Sequence, residues 1–251
     1  MLDVNVSRLM KELSETDVVL DVGGWACPFN RAQWILDAQP YDTRGFYRTF
    51  GGAPSQGGDV EWFTRNTWIQ RDICSHDPWP FRDKEFDFVV CSHTLEDLRD
   101  PLWVCRELIR VAKAGYIEVP SRLFETIIGM ERPGQAGLSH HRWLVDVDGT
   151  HISFLQKYHM IHADWRFHLP HRVKNRVSSD AMSSCLWWRD SFTYEEREIH
   201  GLGAQQQELE RFVRQAYPRS EWQYRAHGAW RAADSLLRRA QSWAVRHITG
   251  G

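Results

Sequence analysis

The chain has no apolar run near the roughly 18 residues that span a bilayer, so no membrane-spanning segment is expected. Met1 to Glu15 lacks the basic-then-apolar layout of a secretory leader, which makes a cytoplasmic location the default. There is no CxxC pair: Cys27, Cys74, Cys91, Cys105 and Cys185 are odd in number and widely spaced. Reduced thiols, mostly in the core, follow more readily than a disulfide frame or a zinc site. Charge of one sign is also lacking, with 31 basic side chains against 33 acidic, which argues against a nucleic-acid partner. No GxGxxG follows the first apolar run, which argues against an ordinary nicotinamide dehydrogenase.

What is present is a globular composition. Hydrophobic residues at 42% and charged ones at 25% of 251 residues suffice for one large domain with a sizeable core. No internal repeat and no long linker divides it. The 13 tryptophans are unusual; they supply flat amphipathic walls, and some are expected to line a ligand cleft.

The first half reads as strands alternating with helices. Val18–Val22, Trp34–Asp37, Thr67–Gln70, Phe86–Cys91 and Tyr116–Val119 are short apolar runs, suited to parallel strands covered on both faces. Between the last two lies the clearest helix. Asp100 caps it, Pro101 takes its first position, and Leu102, Cys105, Leu108, Ile109 and Ala112 form an apolar stripe. Lys113 falls in its last turn and Gly115 serves as its stop. The Gly- and Pro-rich stretch Phe50–Glu61 forbids regular structure and reads as a loop over a site.

From Ser121 the pattern changes. Leu144–Phe154 alternates around Asp148-Gly149, a hairpin signal. Leu186–Tyr194 reads as a further strand, Gln205–Ala216 as a helix with Leu209, Phe212 and Val213 inward, and Trp230–His247 as a second helix. The expected fold is α/β: a Rossmann-like, doubly wound, mostly parallel sheet in one domain over 1–251. A cofactor-binding half spans 17–120; the remainder, 121–251, holds an inserted cap after the fifth strand, the hairpin and the C-terminal helices.

Ligands of open parallel sheets bind at the carboxyl ends of the strands. The first three strands here end at Asp21-Val-Gly23-Gly24, at Asp37 and at Asp72-Ile73. A glycine turn admits a ligand close to the backbone, and an acid one strand over can bind both hydroxyls of a ribose. The Asp72–Ile73 edge can take an adenine amino group. Together these are nucleoside-shaped groups.

Val19-Leu-Asp-Val-Gly-Gly24 followed by Asp37 resembles the first two motifs of class I S-adenosylmethionine-dependent methyltransferases. Arg71-Asp-Ile-Cys-Ser-His-Asp-Pro-Trp-Pro-Phe81, then Phe86-Asp-Phe-Val-Val-Cys-Ser-His-Thr-Leu-Glu-Asp-Leu-Arg-Asp-Pro101, resembles the small-molecule branch more specifically. The resemblance runs over about residues 17–120 and implies S-adenosyl-L-methionine as cofactor. By position, Gly23 and Gly24 would lie against its methionine part, with Asp21 ordering that loop. Asp37 would bind the ribose, Asp72 and Ile73 the adenine, and Ser92 and His93 would face the methionine end. The chain departs from the family's glycine-rich loop at Trp25 and Cys27, where a bulky indole would narrow the cofactor groove.

The implied activity is methyl transfer to an O or N atom of a small-molecule acceptor, in biosynthesis or tailoring. The alternative is a cofactor-binding but inactive methyltransferase-like partner or regulatory protein. An alcohol acceptor needs a base, and histidine suits that task. His93 is one candidate by its strand-end position; as a base it competes with a role in hydrogen-bonding the cofactor. His141 is the other, beside His140 and Arg142 in the insert, where two surface histidines flanking a strand is the plainer reading. His159-x-x-His162 and His168-x-x-His171 have no convergent carboxylate or Cys set, so no metal is expected. Arg166–Arg176 reads as a solvated basic loop. A homodimer is left open.

Overall fold

A computed structural model describes residues 1–198 and 201–218; the helix expected over Trp230–His247 lies outside the described residues. Helix α1 (Asp3–Glu12) is followed by β1 (Val19–Val22), β2 (Trp34–Asp37), β3 (Trp68–Gln70) and β4 (Phe86–Ser92). Helix α2 (Pro101–Val111) then leads into β5 (Ala112–Pro120). Beyond it come α3 (Arg122–Thr126), β6 (Trp143–Asp148), β7 (His151–Gln156), the single turn α4 (Met160–Ala163), β8 (Ser183–Arg189), β9 (Thr193–Glu196) and α5 (Leu202–Ala216).

Six strands form the main sheet in the order β3-β2-β1-β4-β5-β8. The first five are parallel, with Asp21 beside Ile35 of β2 and Val90 of β4, and β8 runs antiparallel to β5. This is the Rossmann-like sheet, and its strand order reverses between β1 and β4, the place where such sheets open a ligand crevice. Side chains alternate between two apolar faces, as buried parallel strands require. Leu20, Val22, Leu36, Val89, Cys91 and Ile117 point to one face; Val19, Ile35, Val90 and Tyr116 point to the other. The first face is covered by α2 and by Trp143, Val145, Ile152 and Phe154 of the β6–β7 hairpin. The second is covered by Leu9 of α1 and by Phe29 and Phe63 from connecting loops. The hairpin is therefore core, and only part of the segment after β5 caps the crevice.

Regular alternation of strand and helix does not occur. Only the β4–β5 crossover carries an α-helix; β1 and β2 are joined through a 3-10 turn at Gly24–Ala26, and β2 and β3 through 3-10 turns at Tyr41–Thr43, Phe46–Phe50 and Arg65–Thr67. Pro28 and the glycines of the Phe50–Glu61 stretch remove the uninterrupted run that a stable helix needs. In α2 the Asp100 side chain accepts from the Trp103 N–H at 2.9 Å, and Pro101 opens the helix as expected. The helix ends at Val111, not at Gly115, because Ala112 already pairs with Phe86 of β4. Its buried face includes Glu107, whose carboxylate accepts from the Trp79 N–H at 2.8 Å and pairs with Arg110 at 2.7 Å. That anchor tucks the Trp79-Pro-Phe81 turn under the sheet.

Three further expectations shift. The hairpin turn is Gly149–Thr150, one residue later than Asp148–Gly149, since Asp148 still pairs with His151 and Gly149 takes φ 59°. The run Leu186–Tyr194 breaks into two strands in different sheets at Asp190, with φ 65°. Arg166–Arg176 is solvated only in part: Phe167, His168, Leu169 and Val173 are buried, with Leu169 and Val173 in a cluster that includes Val213 of α5.

Gly115 lies inside β5 opposite Trp188, and a Cβ there would stand 2.7 Å from the indole ring. Overpacking of this kind costs about 1–3 kcal/mol. Gly115→Ala is expected to lose that much in urea unfolding, and Trp188→Leu in the same background to recover part of it.

Candidate active site

The crevice is shaped by two backbone reversals. β1 stops at Val22 and turns at Gly23, with φ 77°. A Cβ on Gly23 would meet the Thr94 side chain at 2.2 Å, and one on Gly24 would meet Asp21 Oδ2 at 2.1 Å. Both glycines are thus demanded by close approach. β4 stops at Ser92 and turns at His93, a non-glycine residue held at φ 51°. Its N–H donates to the Glu118 carbonyl at 2.8 Å, which fixes this sparsely populated conformation.

Asp21, Gly23, Gly24, Ser92 and His93 line one cavity of 370 Å³, a volume within the range of cofactor sites. The loop Phe50–Glu61 supplies part of its wall through Ala53, Ser55, Gln56 and Gly57, and Tyr47 closes another side. A second cavity of 400 Å³ is lined by Glu96, Asp97, Phe124, His140, His141 and Met182, among others. Met1, Tyr47 and His93 border both cavities. Neither cavity has a tryptophan in its lining; Trp79, Trp143 and Trp188 are spent on the core.

Trp25 does not narrow the first cavity. Its indole stacks on Phe46 with ring centroids 4.7 Å apart, and its Nε1–H donates to Thr43 Oγ1 at 2.9 Å. Cys27, the other departure, does line the cavity, with its thiol held above the ordinary range by burial.

The remaining expected cofactor residues stand apart from this cavity. Asp37, at the end of β2, is buried, and its two oxygens accept the Trp25 N–H at 3.0 Å and the Gln39 N–H at 2.8 Å. Burial raises its pKa against those hydrogen bonds. Asp72 is half exposed, paired with Arg99 at 2.9 Å and accepting the Cys74 N–H at 2.9 Å. Ile73 is part of the core. Asp37 ends β2, and Asp72 and Ile73 follow the end of β3 at Gln70; the sequence does not show that each is already engaged.

His93 is held by two acids. Its Nε2 meets Glu118 Oε1 at 3.0 Å, and its Nδ1 stands 3.7 Å from Glu96. Burial alone would lower its pKa, but the hydrogen bond to Glu118 and the Glu96 charge push it up to about 9. The imidazole is protonated at neutral pH and in that state donates instead of accepting. Glu118 is driven the other way, to about 2: burial opposes ionisation, but His93 and the Tyr116 hydroxyl outweigh it. Glu118 was not among the residues singled out, although an acid inside the apolar run Tyr116–Val119 is the signal that finds it. A buried carboxylate needs partners.

His141 is buried, and its Nδ1–H donates to Glu125 Oε1 at 2.6 Å; Lys157 pairs with the other Glu125 oxygen. Backbone bonds place it there. The Arg142 N–H donates to the Glu96 carbonyl at 2.7 Å and the Trp143 indole to the Leu98 carbonyl at 2.7 Å, so the start of β6 lies along the segment after β4. The plainer reading of two surface histidines holds for His140, which is exposed, and fails for His141. His159 and His162 have ring centroids 6.3 Å apart, and His162 Nδ1 accepts the Ala136 N–H at 3.1 Å.

Residues 55–117 match the model of a methyltransferase domain family. No curated protein matches the chain. Solved structures with a similar fold include a SAM-dependent methyltransferase from Aquifex aeolicus, 21% identical, covering 47% of this chain and 65% of that one at a TM-score of 0.30. Another is an S-adenosylmethionine-dependent methyltransferase from Mesorhizobium loti, 14% identical, covering 60% and 61% at a TM-score of 0.30. A third is an arsenic(III) S-adenosylmethionine methyltransferase from Chlamydomonas reinhardtii, 15% identical, covering 46% and 48% at a TM-score of 0.30. The match spans about half to two thirds of the length of each. The matched stretch includes Asp72–Pro101, which carries the likeness read in the sequence, and the match implies S-adenosylmethionine as cofactor. Among the described residues, no helix is long and apolar enough to cross a membrane.

Asp21 gives the site a pH signature. Burial raises its pKa to about 7, against the Phe29 N–H that it accepts at 2.9 Å. In the unfolded chain the group titrates near pH ~3.9, so between about pH 4 and 7 only the folded state keeps the proton. Its contribution is full at the acid end and is lost as pH rises through 7. Wild-type thermal midpoints are expected to fall between pH 5 and 7.5 relative to those of Asp21→Asn; parallel profiles of the two proteins would contradict this.

Proposed function

From the methyltransferase domain over residues 55–117, we propose that this protein transfers a methyl group from S-adenosylmethionine to an O or N atom of a small-molecule acceptor. The observation that carries the reading is the pair of cavities sharing His93 and Tyr47. Cofactor in one and acceptor in the other would meet at that border, which suits an in-line displacement at a sulfonium methyl. There the protein's main contribution is alignment.

In this reading Gly23 and Gly24 lie against the methionine part, Asp21 orders their loop, and Ser92 and His93 face the methionine carboxylate. The raised pKa of His93 makes it a charged donor to that carboxylate at neutral pH, in preference to a base. Asp37 takes the ribose hydroxyls, and Asp72 with Ile73 takes the adenine. The bond from the Trp25 N–H to Asp37 then has to lengthen or be shared when the ribose enters. Tyr47 and the Ala53–Gly57 stretch close over the cofactor. His141 acts on the acceptor side, with its orientation set by Glu125.

Calorimetric titration with S-adenosylmethionine and its demethylated product tests this directly. Low-micromolar binding is expected, weakened at least tenfold, or about 1.4 kcal/mol, in Asp37→Ala. Asp37→Asn keeps an acceptor for Trp25 and separates loss of the ribose contact from loss of the loop anchor. No binding at millimolar cofactor would sink the proposal. Tight binding without turnover across phenol, alcohol and amine acceptors would favour a cofactor-binding regulatory protein instead.

A further inference from the structure

The second cavity holds buried carboxylate oxygens that lack hydrogen-bond partners. Glu96 is only 1% exposed, yet neither of its side-chain oxygens has a hydrogen-bond partner, and Asp97 Oδ1 is also buried without one. Leaving such groups unpaired is costly. The nearest positive or neutral donors stand just too far away. His93 Nδ1 is 3.7 Å from Glu96 Oε1, and His141 Nε2 is 3.8 Å from Asp97 Oδ1 and 4.0 Å from Glu96 Oε1, all beyond hydrogen-bond length.

Those separations have a different meaning around a metal ion. A cation bonded to nitrogen and oxygen ligands at about 2.0–2.2 Å sets adjacent ligand atoms about 3–3.6 Å apart, so the His141–Asp97 and His141–Glu96 pairs would draw together by a few tenths of an ångström on binding. One ligand atom each from Asp97, His140 and His141 lie within 4.8 Å of one another. The outer shell is in place as well. His141 donates Nδ1–H to Glu125, which Lys157 holds from the other side, so Nε2 is the atom presented to the two acids. Metal-bound histidines are typically steered by a carboxylate in this way.

We propose that Asp97, His140 and His141, with the Glu96 carboxylate beside them, form a site for a divalent first-row transition cation at the wall of the acceptor cavity. The donor set of imidazole and carboxylate suits Zn²⁺ or Mn²⁺. Its remaining coordination positions face the cavity, so the acceptor it selects carries an oxygen donor such as a hydroxyl or carboxylate. This last step rests on reading that cavity as the acceptor side; the cation site itself does not. The ligands come from the segment after β4 and the segment before β6, more than forty residues apart in the chain, so no local spacing reveals them.

The full chain, stripped with a chelator, is titrated with Mn²⁺ while free ion is followed by electron paramagnetic resonance, and with Co²⁺ by visible absorption. One ion per chain is expected, with affinity reduced at least tenfold in His141→Ala and in the nearly isosteric Glu96→Gln. His151→Ala, on β7 and bonded to Thr193 at 2.8 Å, is expected to bind as wild type. Mn²⁺ should raise the thermal midpoint of the wild type and not that of Glu96→Gln, a comparison that stands even if one variant folds poorly. No uptake below a millimolar, or uptake indifferent to both substitutions, overturns the site. Cofactor calorimetry in EDTA on the same preparations keeps the two proposals apart. Cofactor binding without cation uptake removes the cation site alone, whereas cation uptake without cofactor binding supports the site and removes the methyltransferase reading.

Discussion

Glu118, near the end of β5, ties the N-terminus, β4 and β5 together. Its carboxylate receives His93 Nε2, the Tyr116 hydroxyl and the Leu2 N–H, and its carbonyl receives the His93 N–H. These bonds hold His93, the residue just after β4, in a left-handed conformation that few side chains adopt. Because His93 turns there, the chain after β4 passes between the two cavities and delivers Glu96 and Asp97 to the second. An apolar residue at 118 would leave an imidazole, a tyrosine hydroxyl and a backbone amide without their common acceptor, at a cost of several hydrogen bonds in a buried place.

The buried acids of the crevice are kept by different means, and this divides the site into regions. Asp21 and Asp37 accept backbone N–H groups from their own loops and have raised pKa values, so they shape the glycine turn. Glu118 and Glu125 are matched by histidines, with Lys157 added at Glu125. Glu96 and Asp97 have imidazole neighbours only beyond hydrogen-bond length. A fully paired carboxylate contributes rigidity, whereas an incompletely paired one in a cavity is where a ligand gains most.

The crossovers explain why this crevice is built from loops. With no α-helix after β1, the site lacks the helix N-terminus that helps hold a cofactor in many doubly wound sheets. The Gly23 N–H is committed to the Leu36 carbonyl at 2.9 Å, so the crevice is walled by loop backbone and by the side chains on the turn after β4. Trp25, which looks like an obstruction in the linear chain, packs outward on Phe46 and uses its backbone N–H to hold Asp37.

The strands of the parallel sheet, the Asp100–Pro101 helix start and the glycine turn at Gly23 were legible in the amino-acid sequence, because each depends on neighbours within a few residues. Apolar runs, caps and turn residues act locally, and Trp34–Asp37 is a strand with the bounds its side chains suggest. Tertiary structure decided what depends on distant partners. Gly115 marks a close approach to Trp188, not a helix end, and the β6–β7 hairpin fills the core instead of floating as a cap. The direction of Trp25 and the meeting of Asp97 with His141 belong to the same class. A side chain's direction and charge state are set by whatever packs against it, and those partners lie many residues away along the chain.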